Sequence, residues 1–252
     1  MPPAKNIAEV IAQLEEIVAW CVQHQSRQGY FAALYHRTTV AVQQGINKGL
    51  FADGPRMDKL DTIFANLYVQ AWHCYNHGKP CSQSWQTAFD ACKQNNLAVI
   101  QHMLLGVNTH INLDLAIAAA QMAPGSAIEG MHGDFVKINE VIASLVGTMY
   151  DRLCRIWLPL RMLGRITQNS HEAVVNFSIV KAREASWANA LLLAYAGDNA
   201  ARDQCIDVID HTVTKVAGGI IWPGRYTSFL LKTVQWMEPK QPGDIIQLLQ
   251  AN

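Results

Sequence analysis

Charge is scarce in this chain. Asp, Glu, Lys and Arg make up 16% of it, against about 25% in an ordinary globular domain. Twenty acids balance twenty bases. There is no bulk positive charge to drive nucleic-acid binding or to hold a polybasic segment on a membrane. None of the six cysteines pairs in C-x-x-C spacing. The opening Met-Pro-Pro-Ala-Lys-Asn leads into an amphipathic segment containing Glu9, Glu15 and Glu16. That is not a basic region followed by an apolar one, so a reduced, cytoplasmic protein is expected rather than a secreted one. No stretch of about 18 residues is free of polar interruption, and no membrane span is expected. No window alternates like a strand between turn signals. A glycine-rich phosphate loop, a G-x-S-x-G elbow and an H-E-x-x-H helix are all missing, and no cysteine has an activating context.

What is present is apolar and helical. Half of the 252 residues are hydrophobic and seven are tryptophan, enough to offset the ordering entropy that keeps polar chains unfolded. This much greasy surface under so little charge points to a partner subunit, as in a homo-oligomer, or to an apolar pocket. Ile7, Val10, Ile11, Leu14, Ile17 and Val18 recur with the period of an amphipathic helix. Further helices are read over about 28–48, 56–76, 97–122, 135–157, 171–195 and 200–217. A short one is capped by Ser82 or Ser84, another runs to Trp236, and a tail helix follows Pro242. Asp134 is read as an N-cap, Pro159 as a kink and Gly218-Gly219 as a helix end. The expectation is one all-α domain over residues 1–252, a bundle of eight or nine helices.

Nine histidines are the unusual feature. His110 and Asp114 stand at i, i+4 in an apolar string, about 40° apart around a helix, so they share a face. Such a pair suits one metal ion, or a hydrogen-bonded pair in the core. Gly106, between His102 and His110, leaves room for something to approach the backbone. His36 lies mid-helix, and Asp61 sits one turn into the third helix, where a half-buried carboxylate should be paired or metal-bound. His132 lies in the loop Gly130-Met131-His132-Gly133, well placed for site work. His73 and His77 fall at a frayed helix end and read as surface residues. Glu129 and His132 form a lone Glu-x-x-His, without the second copy that a di-iron carboxylate bundle needs. Arg37 and Arg183 are candidates to neutralise an anionic group; for Arg183 a surface salt bridge to Glu184 is the plainer reading.

Tyr35-His36-Arg37-Thr38-Thr39, Phe64-Ala65-Asn66-Leu67-Tyr68, the string Gly106 to Leu115, His132-Gly133-Asp134-Phe135 and Ala182-Arg183-Glu184-Ala185-Ser186-Trp187 together resemble a bacterial family of unknown function, over about residues 27–190. That likeness implies no activity. His110-Ile111-Asn112-Leu113-Asp114-Leu115 is also similar, more distantly, to the His-x-x-x-Asp helix of zinc-dependent phospholipases C and related single-strand nucleases. The second likeness implies His110 and Asp114 as metal ligands, with His36, Asp61 and His132 completing the shell by position along the chain. The Pro-x-His of that family has no counterpart here, which implies one or two ions rather than three.

The first expectation is therefore a metal-dependent hydrolase with a divalent ion, zinc first, on His110, Asp114, His132, His36 and Asp61. His110, Asp114, His36 and Arg37 would serve catalysis on a small molecule. The alternatives are a metal-free acid–base enzyme (a cyclase, isomerase or lyase) acting on an apolar small molecule, and a non-catalytic helical binding protein.

Overall fold

The computed structural model describes residues 1–138 and 170–251, and these contain helices and no strands. Ten α-helices are present among them: α1 (Ile7–Gln23), α2 (Gln28–Asn47), α3 (Gly54–Asn76), α4 (Gln83–Ala91), α5 (Val99–Thr109), α6 (Leu115–Met122), α7 (Ser170–Ala194), α8 (Asn199–Ile221), α9 (Arg225–Trp236) and α10 (Pro242–Gln250). The all-α expectation holds, with slightly more helices than the eight or nine read from the pattern.

Local sequence explains most boundaries. Asn6, Asp53, Ser82 and Asp198 each accept a backbone N–H from the first turn of the helix that follows. Those donors have no partner inside the helix, so a side-chain oxygen there stabilises it by about 1 kcal/mol. Two boundaries differ from the sequence reading. Residues 132–138 are already helical, so Asp134 lies inside a first turn rather than capping one. Its carboxylate instead accepts from the Ala52 N–H and from Arg56 Nη2 at 2.6 Å, tying this turn to the start of α3. Helix α8 runs straight through Gly218-Gly219 and ends at Ile221, because the residue before Pro223 is the one pushed out of helical geometry. Pro159 and the stretch 139–169 lie outside the described residues.

Helices α5 and α6 are one continuous rod, Val99–Met122, joined by a π-helical turn over His110–Asp114. It matches the helix read over 97–122, and by length and apolarity alone it is long enough to cross a membrane. Its most apolar window is 72% buried. The rod is the bundle's central helix, with α2, α3, α4, α7 and α8 packed around it.

The chain end is held by α2. Arg37 Nη1 donates to the carbonyls of Leu249, Gln250 and Ala251, at 3.2, 3.4 and 2.7 Å. A cation is favoured at this end of a helix, where the last carbonyls lack partners. Arg37→Ala is expected to cost about 1–2 kcal/mol and to speed amide exchange selectively in α10. Unchanged exchange there would overturn this role.

Candidate functional site

The polar centre of the molecule is built on the π turn. In that turn Leu115 N–H reaches back five residues to the His110 carbonyl. Asn112 of this turn donates its side-chain amide to the carbonyl of Asn108, in the last turn of α5, at 3.0 Å. Single π turns inside α-helices are uncommon and recur at functional sites.

His110 and Asp114 meet as their spacing predicts. His110 Nδ1 and Asp114 Oδ2 are 2.8 Å apart, and Trp85 Nε1 donates to the same oxygen at 2.9 Å. Trp85 comes from α4, whose start is fixed from across the bundle. Asp210 of α8 accepts the Gln83 and Ser84 N–H groups at 2.7 and 2.9 Å, together with the Ser84 hydroxyl. Asp210 therefore positions α4, α4 positions Trp85, and Trp85 positions Asp114.

Five aromatic rings enclose the imidazole. Phe64 stacks on it with ring centres 3.6 Å apart and planes 10° from parallel. Tyr35 meets it edge-on at 4.3 Å, with Phe31, Tyr68 and Trp85 at 5.6, 5.9 and 6.1 Å. Both members of the pair are buried. Burial lowers the His110 pKa well below its usual value, so the ring is neutral. Burial raises that of Asp114, and the Trp85 N–H opposes the rise by favouring the carboxylate. Trp85 can only donate, so Oδ2 is an acceptor. With Asp114 ionised, the His110 proton sits on Nδ1 and Nε2 carries the lone pair.

That Nε2 has no hydrogen-bond partner among the described residues, nor do the Tyr35 and Tyr68 hydroxyls or Asp61 Oδ2. Tyr35 links these groups. Its ring lies 5.8 Å from that of Tyr68, and burial, then the Asp61 charge, raises its pKa. Asp61 is itself pushed up to about 7, by burial and then by Asp58. An acid whose folded pKa is raised stabilises the fold below the unfolded value, near 3.8, and loses that contribution as pH rises through about 7. Asp61→Asn is therefore expected to stabilise the protein at pH 8 relative to wild type, by about 1 kcal/mol once the amide's own burial is counted, and not at pH 4, as read from melting temperatures at the two pH values. An equal effect at both values would overturn this assignment.

The remaining predicted residues go elsewhere. His36 Nε2 lies 3.4 Å from Glu15 Oε1 on α1, and neither ring nitrogen of this mostly buried side chain makes a hydrogen bond among the described residues. His132 is exposed, its ring 4.9 Å from that of Trp187. Arg37 is occupied with the carbonyls that end α10. No three His, Cys, Asp or Glu side chains among the described residues come together as a metal-binding group. Asp114, expected as a ligand, spends its Oδ2 on two N–H groups. Arg183 is not at the surface: it is buried, donates to the Phe135 carbonyl at 2.9 Å and lies over the Phe135 ring, while Lys181 is the residue that pairs with Glu184. His73 and His77 stack at the end of α3, near the surface, as read.

Trp85 was not singled out from sequence, because its partner is 29 positions away. The aromatic walls did leave a trace: Phe31 and Tyr35, and Phe64 and Tyr68, are both i, i+4 pairs.

Fold and site thus define an all-helical protein whose central helix carries a buried Trp–Asp–His hydrogen-bond chain inside an aromatic shell. The chain belongs to a family of unknown function, DUF5995, whose model matches residues 7–223. No curated protein matches it, and no solved structure does.

Proposed function

We propose that this chain is an acid–base enzyme acting on a small, largely apolar molecule, with His110 as the group that takes and returns a proton. One observation carries the reading: a neutral, buried imidazole with Nδ1 held by a carboxylate and Nε2 left without a partner. The Asp114 carboxylate fixes the tautomer, orients the ring and stabilises the imidazolium that forms when Nε2 accepts a proton. Three unpaired polar atoms, His110 Nε2 and the Tyr35 and Tyr68 hydroxyls, share this aromatic shell, and a buried polar group without a partner costs about 1–3 kcal/mol, which a bound molecule would offset. Tyr35 and Tyr68 would hydrogen-bond the bound molecule, and the rings would exclude water.

The test is consumption of compounds from a small-molecule extract by wild type, His110→Gln and Asp114→Asn, each checked for folding by circular dichroism. Wild type is expected to deplete at least one compound that His110→Gln leaves intact. Asp114→Asn is expected to slow that turnover by about 10²–10⁴-fold. Depletion that is the same with folded His110→Gln would overturn the reading, as would no depletion by any of the three.

A second reading keeps a metal-dependent hydrolase. A carboxylate on Nδ1 is also how metal-bound imidazoles are oriented, and His110 Nε2 and Asp61 Oδ2 are the open donors a divalent ion, zinc first, would draw on. The ion would lower the pKa of a bound water and polarise the bond to be cleaved. Elemental analysis of tag-free wild type and His110→Ala decides it: stoichiometric metal lost in the folded variant supports this reading. No uptake after incubation with zinc, manganese or iron rejects it.

A further inference from the structure

Helix α9 stands apart from the bundle. Its ties to the rest of the described chain are the buried Val234, a Gln235 side-chain bond to the Asn95 carbonyl and Glu238, just past its end, which straddles the Val99 N–H at 3.1 and 3.2 Å. Among the described side chains, the opposite face is exposed. Arg225, Phe229, Lys232 and Trp236 follow one another at i, i+4, i+7 and i+11, within about 60° of one line along the helix, and all four are exposed. Phe229 is 68% and Trp236 85% accessible, and Trp222, on the approach to the helix, is 71%. The helix contains no acid. The nearest in sequence, Glu238, accepts the Val99 N–H at the start of α5 and lines one cavity with Lys232 and Trp236.

We infer that the exposed stripe of α9 seats the protein on an anionic lipid bilayer. Exposed aromatic rings alternating with cations suit the interface between headgroups and acyl chains: Phe229, Trp222 and Trp236 enter the boundary while Arg225 and Lys232 meet lipid phosphates. A second copy of the chain, packed antiparallel, would set Arg225 and Lys232 against the partner's rings, and the test below separates that occupant from a bilayer. Charge argues against nucleic acid, which needs a longer cationic track than two side chains on a chain of zero net charge.

The test is flotation of the full chain with phosphatidylcholine vesicles, with and without phosphatidylglycerol, read alongside tryptophan emission. The protein is expected to float with anionic vesicles only, with a blue shift that Trp222→Ser/Trp236→Ser reduces. Each cation near a charged surface is worth about fivefold in binding, so Arg225→Gln/Lys232→Gln should weaken binding by about 30-fold. All substitutions are at exposed positions, and circular dichroism checks the fold. Three results would overturn the inference: equal binding to both vesicles or to neither, a dimer whose formation buries Trp236, or displacement by a single-stranded oligonucleotide.

Discussion

Asp114→Ala is expected to destabilise the protein by about 3–5 kcal/mol, among the largest losses a single side chain can produce. The substitution removes one acceptor and strands two buried donors, the Trp85 indole N–H and the His110 Nδ1–H. Neither can turn to water, because both rings are locked among aromatic neighbours. In a chain of this size 1 kcal/mol moves the melting temperature by about 2–4 °C, so a fall on the order of 10 °C is expected. Trp85→Phe removes a single donor and should cost much less, about 1 kcal/mol beyond its packing effect. A double-mutant cycle between the two separates the hydrogen bond from the cavity. If Asp114→Ala were within 1 kcal/mol of wild type, the carboxylate would not be the acceptor at the centre of this network.

Gly106→Ala is the second large effect, and here two terms of opposite sign compete. Alanine in a helix interior gains about 1 kcal/mol over glycine. Against that, a Cβ at this position would lie 2.3, 2.5 and 2.8 Å from Phe31 Cγ, Cδ2 and Cβ. Those distances are too short for carbon contacts, and Phe31 cannot yield freely: Tyr35, Tyr68, Trp85 and His110 all pack on it. Overpacking of this kind costs about 1–3 kcal/mol, occasionally more. At the upper end of that range the net loss is about 2 kcal/mol, accompanied by a shift in the His110 ring resonances. A variant more stable than wild type would mean that Phe31 has room to move and that the shell around His110 is loose.

These two residues show what the sequence made legible. Gly106 reads as a place where something approaches the helix, and the structure puts Phe31 there. His110 and Asp114 read as one face of a helix at i, i+4, and they touch. A π turn changes the register between them, but both remain on the inner face. Local periodicity covers such cases because the partners are one turn apart. It does not cover Trp85, Asp210 or Arg183, whose contacts are set by packing between distant segments. His36 and His132 do not join the pair: His36 turns toward Glu15 of α1, and His132 is exposed beside Trp187. His36 follows Tyr35 by one residue, about 100° around α2, and it is Tyr35 that meets His110.

The bond from Asp210 to the start of α4 spans 126 positions, which sets an order of events. While the chain is being made, α2, α3 and α5 are complete long before α8 leaves the ribosome. His110 and Asp114 can meet early, being on one rod, but Trp85 is anchored only when Asp210 arrives. The centre of the molecule therefore matures late, after most of the chain has been synthesised. A fragment ending before residue 199 would carry every aromatic wall of the site and still lack the clasp that holds its tryptophan in place.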